Sequence, residues 1–105
     1  MSDTITATLP LRRWQGGKAT YHLVSFTGDE AEALAGHALL QKLEFGRQRG
    51  FGSVKVTAAI GDTTWKTSVF PQDKQTTWIL LVSKKVMKAQ NLAPGDQIAV
   101  SVSPV

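Results

Sequence analysis

Apolar and polar residues alternate in several short segments, and this period of two limits the chain to a fold built mainly from strands. Val54, Val56, Ala58 and Ile60 occupy every second position within residues 51–60. Successive side chains of a strand point to opposite faces, so the pattern predicts a strand with one buried face. The same pattern, or a run of residues typical of strands, recurs in residues 4–12, 19–26, 64–70 and 97–103.

Residues 76–82 differ from these segments because they are apolar on both faces. Trp78, Ile79, Leu80 and Leu81 follow one another without a polar residue between them. Such a run is typical of a strand that is covered on both sides. We therefore expect a sixth strand here, at the centre of the sheet.

Two further segments carry helical signals. Residues 27–44 contain an apolar stripe formed by Leu34, Ala38, Leu39 and Leu43. Ser83 is suited to cap a short helix that runs from Lys84 to about Gln90.

The segments between the predicted elements contain turn signals. Gly61-Asp62 is typical of a two-residue hairpin turn, and Ala93-Pro94-Gly95-Asp96 is typical of a type II turn. Pro71 is expected to end the strand of residues 64–70, because proline cannot donate a backbone hydrogen bond. The order ββαβββαβ predicts a mainly β (α+β) fold, a six-stranded pseudo-barrel capped by two helices.

The length of 105 residues fits one domain, which we assign to residues 1–105. The chain has no cysteine and no apolar run near the roughly 20 residues that a membrane span needs. We therefore expect a cytoplasmic protein that has no membrane partner. The net charge of +4 attracts polyanions only weakly and without specificity.

Four ordered runs resemble those of a known family. They are FGSVKV (51–56), IGDTTWKTSVFP (60–71), TWILLVSKKVMKA (77–89) and LAPGDQIAVSV (92–102). In this succession they resemble DUF1905, a family of uncharacterised bacterial and archaeal proteins. The resemblance implies a barrel capped by helices, related to the double-split barrels of transition-state regulators and antitoxins. It implies no reaction and no catalytic residue.

The residues themselves also give no sign of catalysis. His22 and His37 are the only histidines, and no carboxylate or histidine near them has the spacing of a metal site. The serines lack the sequence context of an activated nucleophile, and no glycine-rich phosphate loop is present. We therefore predict a protein that is not an enzyme and that uses no metal or cofactor.

A ligand-binding surface is the leading hypothesis. Aromatic rings and hydroxyl groups share one predicted strand, and two lysines begin the second predicted helix. Rings supply apolar area, hydroxyls supply hydrogen bonds, and lysines attract anions. The predicted site is for a small anionic ligand or a peptide segment, and it consists of Trp65, Thr67, Ser68, Phe70, Lys84 and Lys85. The alternative for Trp65 is packing in the core, and we expect Trp14 to be the most exposed tryptophan.

Two alternatives remain open for the function. The implied likeness to regulator and antitoxin barrels and the positive charge would suit a DNA-associated module. Its basic surface for phosphates would consist of Arg12, Arg13, Arg47, Arg49 and the lysines of the second helix. Residues 49–54 also resemble an RNA-recognition strand, although Ser53 stands where a second stacking ring is required.

A third alternative is a structural role. If residues 97–103 formed an edge strand, they could pair with another copy of the chain. Both a monomer and a small homo-oligomer are compatible with the sequence.

Overall fold

Seven antiparallel strands form one curled sheet in the computed structural model, which describes residues 4–45 and 52–105. The strands are β1 (Ile5–Pro10), β2 (Arg12–Gly16), β3 (Ala19–Phe26), β4 (Val54–Ile60), β5 (Thr63–Gln72), β6 (Thr77–Val82) and β7 (Gln97–Pro104). Their order across the sheet is β1-β7-β4-β5-β6-β3-β2. The helices are α1 (Gly28–Phe45) and α2 (Lys84–Ala89), and a single turn of 3₁₀ type spans Asp73–Gln75.

The prediction of six strands is wrong because the first predicted strand changes its partner at Leu11. β1 pairs with β7 and β2 pairs with β3, so these consecutive strands lie at the two ends of the strand order. Leu11 alone separates them; it donates to Asp96 at 2.8 Å and accepts from Gly95 at 2.7 Å through backbone atoms. A single residue can bridge the two ends only if the sheet curls. The result is a seven-stranded half-barrel, which does not correspond to the predicted six-stranded double-split type.

The concave face of the sheet holds the core, as the alternation predicts. Val54, Val56, Ala58 and Ile60 of β4 are all buried. Ile98, Val100 and Val102 on β7 are also buried. Burial of a large aliphatic side chain contributes roughly 1.5–3 kcal/mol, so these strand faces make up much of the driving force for folding.

Helix α1 covers this core with a different stripe from the one predicted. Ala31, Leu34 and Ala38 are buried, whereas Leu39 is 56% and Leu43 71% exposed. At 3.6 residues per turn, Leu43 lies about 180° around the helix from Leu34, so the two cannot face the same core. The predicted inclusion of Leu39 and Leu43 is therefore wrong.

Two predictions about individual strands also need correction. β5 continues through Pro71 to Gln72. Pairing of β5 with β4 ends at Val69. Beyond that residue no strand pairs with β5 on the β4 side, so proline is tolerated although it has no backbone N–H to donate. β7 lies between β1 and β4 and is therefore not the edge strand that self-association through residues 97–103 would require.

The turn and cap predictions are confirmed. Ile60 pairs with Thr63 across the Gly61-Asp62 turn. The Asp96 amide donates to the Ala93 carbonyl at 3.0 Å, with Gly95 at a φ of 95°. The hydroxyl of Ser83 accepts from the Val86 amide at 3.3 Å and caps α2.

Arg47 and Arg49, which the DNA-associated alternative includes, fall outside the described residues. The same holds for residues 49–51 of the run that resembles an RNA-recognition strand. Within residues 4–45 and 52–105, no helix is both long and apolar enough to cross a membrane.

Candidate functional site

A cleft opens where β5 and β6 stop pairing with each other. Their pairing runs from Gln72 opposite Thr77 to Val69 opposite Leu80. Beyond Val69, β5 remains paired with β4, while the end of β6 remains paired with β3. The strands therefore diverge and leave a cavity of about 370 Å³ beside the start of α2, lined by Thr20, Tyr21, His22, Trp65, Thr67, Leu81, Val82, Ser83 and Lys84. We call this cavity the cleft.

Three of the six predicted site residues line the cleft, namely Trp65, Thr67 and Lys84. Trp65 pairs with Ala58 and Thr67 with Val56, both fully buried partners, so the two side chains lie on the concave face. Trp65 is half-buried and packs against the edge of the core. Its two predicted roles, core packing and cleft wall, therefore coexist.

The other three predicted residues are not brought into the cleft. Ser68 and Phe70 alternate with Thr67 and Val69 along β5. Because neighbouring strand residues face opposite sides, Ser68 and Phe70 lie on the convex face. Lys85 is exposed and does not line the cleft. The sheet thus divides the single site that the sequence predicted.

Two polar residues of β3, Thr20 and His22, line the cleft and were not predicted. His22 pairs with Val82, the last residue of β6, and this pairing carries the imidazole to the cleft. The sequence predicted β3 itself but gave no signal that it would lie beside β6. The cleft therefore contains a histidine and a threonine that were not predicted, and both side chains can donate hydrogen bonds.

Helix α2 forms a fixed wall of the cleft because both of its ends are held. The Ser83 cap anchors its first turn to the end of β6. At the other end, Gln90 Nε2 donates to Thr63 Oγ1 at 2.8 Å, which attaches the helix to the first residue of β5. The helix therefore bridges the two strands whose separation creates the cleft.

The chemistry of the cleft favours an anion or a neutral hydrogen-bond acceptor. Lys84 carries a positive charge, and His22, Thr20 and Thr67 can donate hydrogen bonds. Trp65 adds an apolar wall. No aspartate or glutamate is among the described residues that line the cleft.

A second, larger groove of about 670 Å³ lies on the convex face. We call it the outer groove; it is lined by Arg12, Arg13, Trp14, Tyr21, Leu23, Ser25, Phe70, Gln72, Ile79 and Leu81. Trp14 is 56% exposed, as expected, and its ring stacks on that of Tyr21 with a centroid distance of 5.6 Å. Leu81 is 39% exposed, so the prediction that residues 76–82 are covered on both faces is wrong.

Metal-binding side chains do not gather in the described part of the chain. No group of three or more histidine, cysteine, aspartate or glutamate side chains there could hold a metal ion.

Comparison with known proteins places the chain in a family. No curated protein matches it. A family model described as a domain of unknown function, DUF1905, matches residues 8–102, from within β1 to within β7. The family predicted from the four ordered runs is therefore confirmed. This chain belongs to the DUF1905 family.

Proposed function

We propose that this protein is a noncatalytic binding module whose cleft binds a small anionic molecule. The observation that carries the proposal is the set of donors around one apolar wall. Lys84, His22 and Thr67 converge beside Trp65 where β5 and β6 separate. The ligand is a carboxylate or phosphate attached to a flat or apolar body.

Charge supports an anion over a cation. Lys84 is the only lysine or arginine among the described residues that line the cleft, and these residues include no aspartate or glutamate. A cationic ligand would meet this lysine without an opposing carboxylate. An anion would gain a charge-assisted hydrogen bond, which is stronger than a neutral one.

Size supports a small molecule over a long peptide. Ligand pockets commonly range from about 300 to 1,000 Å³, and a volume near 370 Å³ lies at the lower end. A peptide segment would fit only through a terminal carboxylate or a single acidic side chain. Trp65 would then pack against the apolar part of that group.

Two adjacent lysines provide a matched experiment. Both lysines are exposed, but Lys84 lines the cleft and Lys85 does not. Thermal-shift and calorimetric titrations would use phenyl phosphate and benzoate, with neutral benzyl alcohol as the uncharged control. We expect both anions to bind, Lys84→Ala to weaken binding about tenfold, equivalent to about 1.4 kcal/mol, and Lys85→Ala to leave it unchanged.

The outcomes distinguish a specific binding site from general attraction to surface charge. Equal weakening by Lys84→Ala and Lys85→Ala would show that only surface charge matters and would contradict the proposal. Thr67→Val tests the hydroxyl directly because the two side chains are similar in shape. Absence of binding by every anion in the wild-type protein would remove the cleft as a ligand site.

A further inference from the structure

The described strands carry charge of one sign only. None of β1 to β7 contains an aspartate or a glutamate, whereas Arg12, Arg13, Lys55 and Lys66 all lie on strands. The acidic residues of the described ranges lie in α1, in the Asp73–Gln75 turn, and in the turns that precede β5 and β7. The sheet surface is therefore basic although the chain as a whole has a net charge of only +4.

Strand register places three of these cations on the convex face. Arg12 pairs with Leu23, which in turn pairs with Leu81. Lys55 pairs with Ser68, and Lys66 lies two residues before Ser68 on the same face of β5. All three cations are exposed. The convex face is thus complementary to an anionic partner.

Aromatic rings lie on the same convex face as these cations, of which Arg12 lines the outer groove while Lys55 and Lys66 lie outside its lining. Trp14 is 56%, Tyr21 43% and Phe70 38% exposed, and all three line the outer groove. Trp14 and Tyr21 stand on the neighbouring strands β2 and β3, and Phe70 stands on β5, which is three strand spacings from β2. At about 4.8 Å per spacing, the rings extend over roughly 14 Å of the sheet.

Glycine at position 16 sets the orientation of the outermost ring. A Cβ atom at Gly16 would collide with the six-membered ring of the Trp14 indole. The indole therefore lies along β2 above Gly16 and next to Tyr21. This arrangement gives the groove a broad aromatic surface.

We propose that the outer groove binds single-stranded nucleic acid. Unpaired bases stack on the Trp14–Tyr21 pair and on Phe70, and the phosphates lie near Arg12, Lys55 and Lys66. A positively charged surface with accessible aromatic rings is the general requirement for binding single strands with little sequence preference. Tyr21 and Leu81 line both the outer groove and the cleft, so the two sites adjoin. The outer-groove proposal uses Trp14 and Phe70 and does not depend on the function proposed for Lys84.

The aromatic rings favour a single strand over the two other anionic partners. In a duplex the ring faces of the bases are already stacked on one another, so Trp14 and Phe70 would gain nothing. An acidic peptide would match the charges but supplies no planar bases for the rings. Single-stranded nucleic acid satisfies both features with one ligand.

The test measures fluorescence anisotropy of labelled ten-nucleotide oligothymidylate and oligouridylate with the full chain at low salt. We expect binding of at least one of them. Log affinity should fall with log salt concentration at a slope of about −2, because about three phosphates are neutralised at roughly −0.7 each. Trp14→Ala and Phe70→Ala should each weaken binding roughly 5- to 150-fold.

Matched controls separate stacking from charge and from folding defects. Leu39→Ala removes an equally exposed apolar side chain from α1 and should not change the affinity. Trp14→Phe keeps a stacking ring and should retain most of the binding. Lys42→Ala removes an exposed cation from α1, away from both cavities, and should leave oligonucleotide binding unchanged. Thermal unfolding of each variant confirms that it is folded under the assay conditions.

Three results would overturn the proposal. The first is no binding of either oligonucleotide by the wild-type protein. The second is equal binding of a duplex of the same length, which would indicate charge-driven binding and favour the alternative of a DNA-associated module. The third is binding of polyglutamate as tightly as the oligonucleotides with no effect of Trp14→Ala, which would indicate an acidic protein partner.

Discussion

The side-chain amide of Gln90 donates a 2.8 Å hydrogen bond to the hydroxyl of Thr63. This contact connects two elements that the chain order separates, the end of α2 and the start of β5. The bond is part-buried, so after loss of one group the other is partly shielded from the water that could replace its partner. The contact also holds the wall that carries Lys84 at the cleft.

Removing this contact should lower stability measurably. We expect Gln90→Ala or Thr63→Val to reduce the free energy of unfolding by about 1 kcal/mol, the usual net value of one hydrogen bond. Urea denaturation of both variants and of the double variant would measure it. The double variant should cost less than the sum of the two single ones, and strict additivity would contradict a direct coupling.

Gly16→Ala should displace the Trp14 indole. The added methyl group would collide with the ring, and the far end of the tryptophan side chain is the part that can move. We expect a small loss of stability and a change in the near-ultraviolet circular dichroism of the Trp14–Tyr21 pair. An unchanged spectrum would mean that the ring does not lie over Gly16.

Gly36→Ala should stabilise the protein. Gly36 lies within α1 and is exposed, and a Cβ atom there would meet nothing within 4 Å. Alanine is favoured over glycine in a helix interior by about 1 kcal/mol. For a domain of this size, that gain raises the melting temperature by about 4 °C or more, which calorimetry would detect. A lower melting temperature would show that position 36 needs to be small.

Asn91 should tolerate glycine better than alanine. It follows α2 with a φ of 53°, in the left-handed region. The Leu92 amide donates to the Met87 carbonyl at 2.8 Å and the Asn91 amide to Lys88 at 3.3 Å, the two bonds of a Schellman motif.

A side chain with a Cβ and no local hydrogen-bonding group pays about 1–2 kcal/mol in this conformation. We therefore expect Asn91→Ala to destabilise by about 1 kcal/mol and Asn91→Gly to stay within about 0.5 kcal/mol of the wild type. Chemical denaturation of both variants tests the difference. Equal losses would point to a role of the asparagine side chain itself.

Local patterns in the sequence predicted most of the elements correctly. Alternation in β4 and β7, the Gly61-Asp62 turn, the turn at Gly95 and the Ser83 cap depend on residues close together in the chain. The strand count and the position of β7 could not be predicted because they depend on partners far away in sequence. The bend at Leu11 is visible only once β7 and β3 are known to flank it. The apolar stripe of α1 was wrong for a local reason, since the helical period already places Leu43 about 180° from Leu34.

The candidate site was predicted only in part, for one local and one long-range reason. Trp65 and Thr67 were placed together because they share one face of a single strand. Phe70 was assigned to the same site although strand alternation sends it to the other face. His22 could not be assigned, because only the pairing of β3 with β6 brings it to Lys84.

The pairing of β1 with β7 has a consequence for how the molecule forms during translation. Ile5 lies opposite Val102, so β1 leaves the ribosome well before β7, the strand with which it pairs. At synthesis rates of 5–20 residues per second, β1 waits roughly 5 to 20 s with its hydrogen-bonding edge unpaired. Sequence-distant pairing of this kind also slows folding. Chaperone dependence in the cell would therefore arise from this strand before any other.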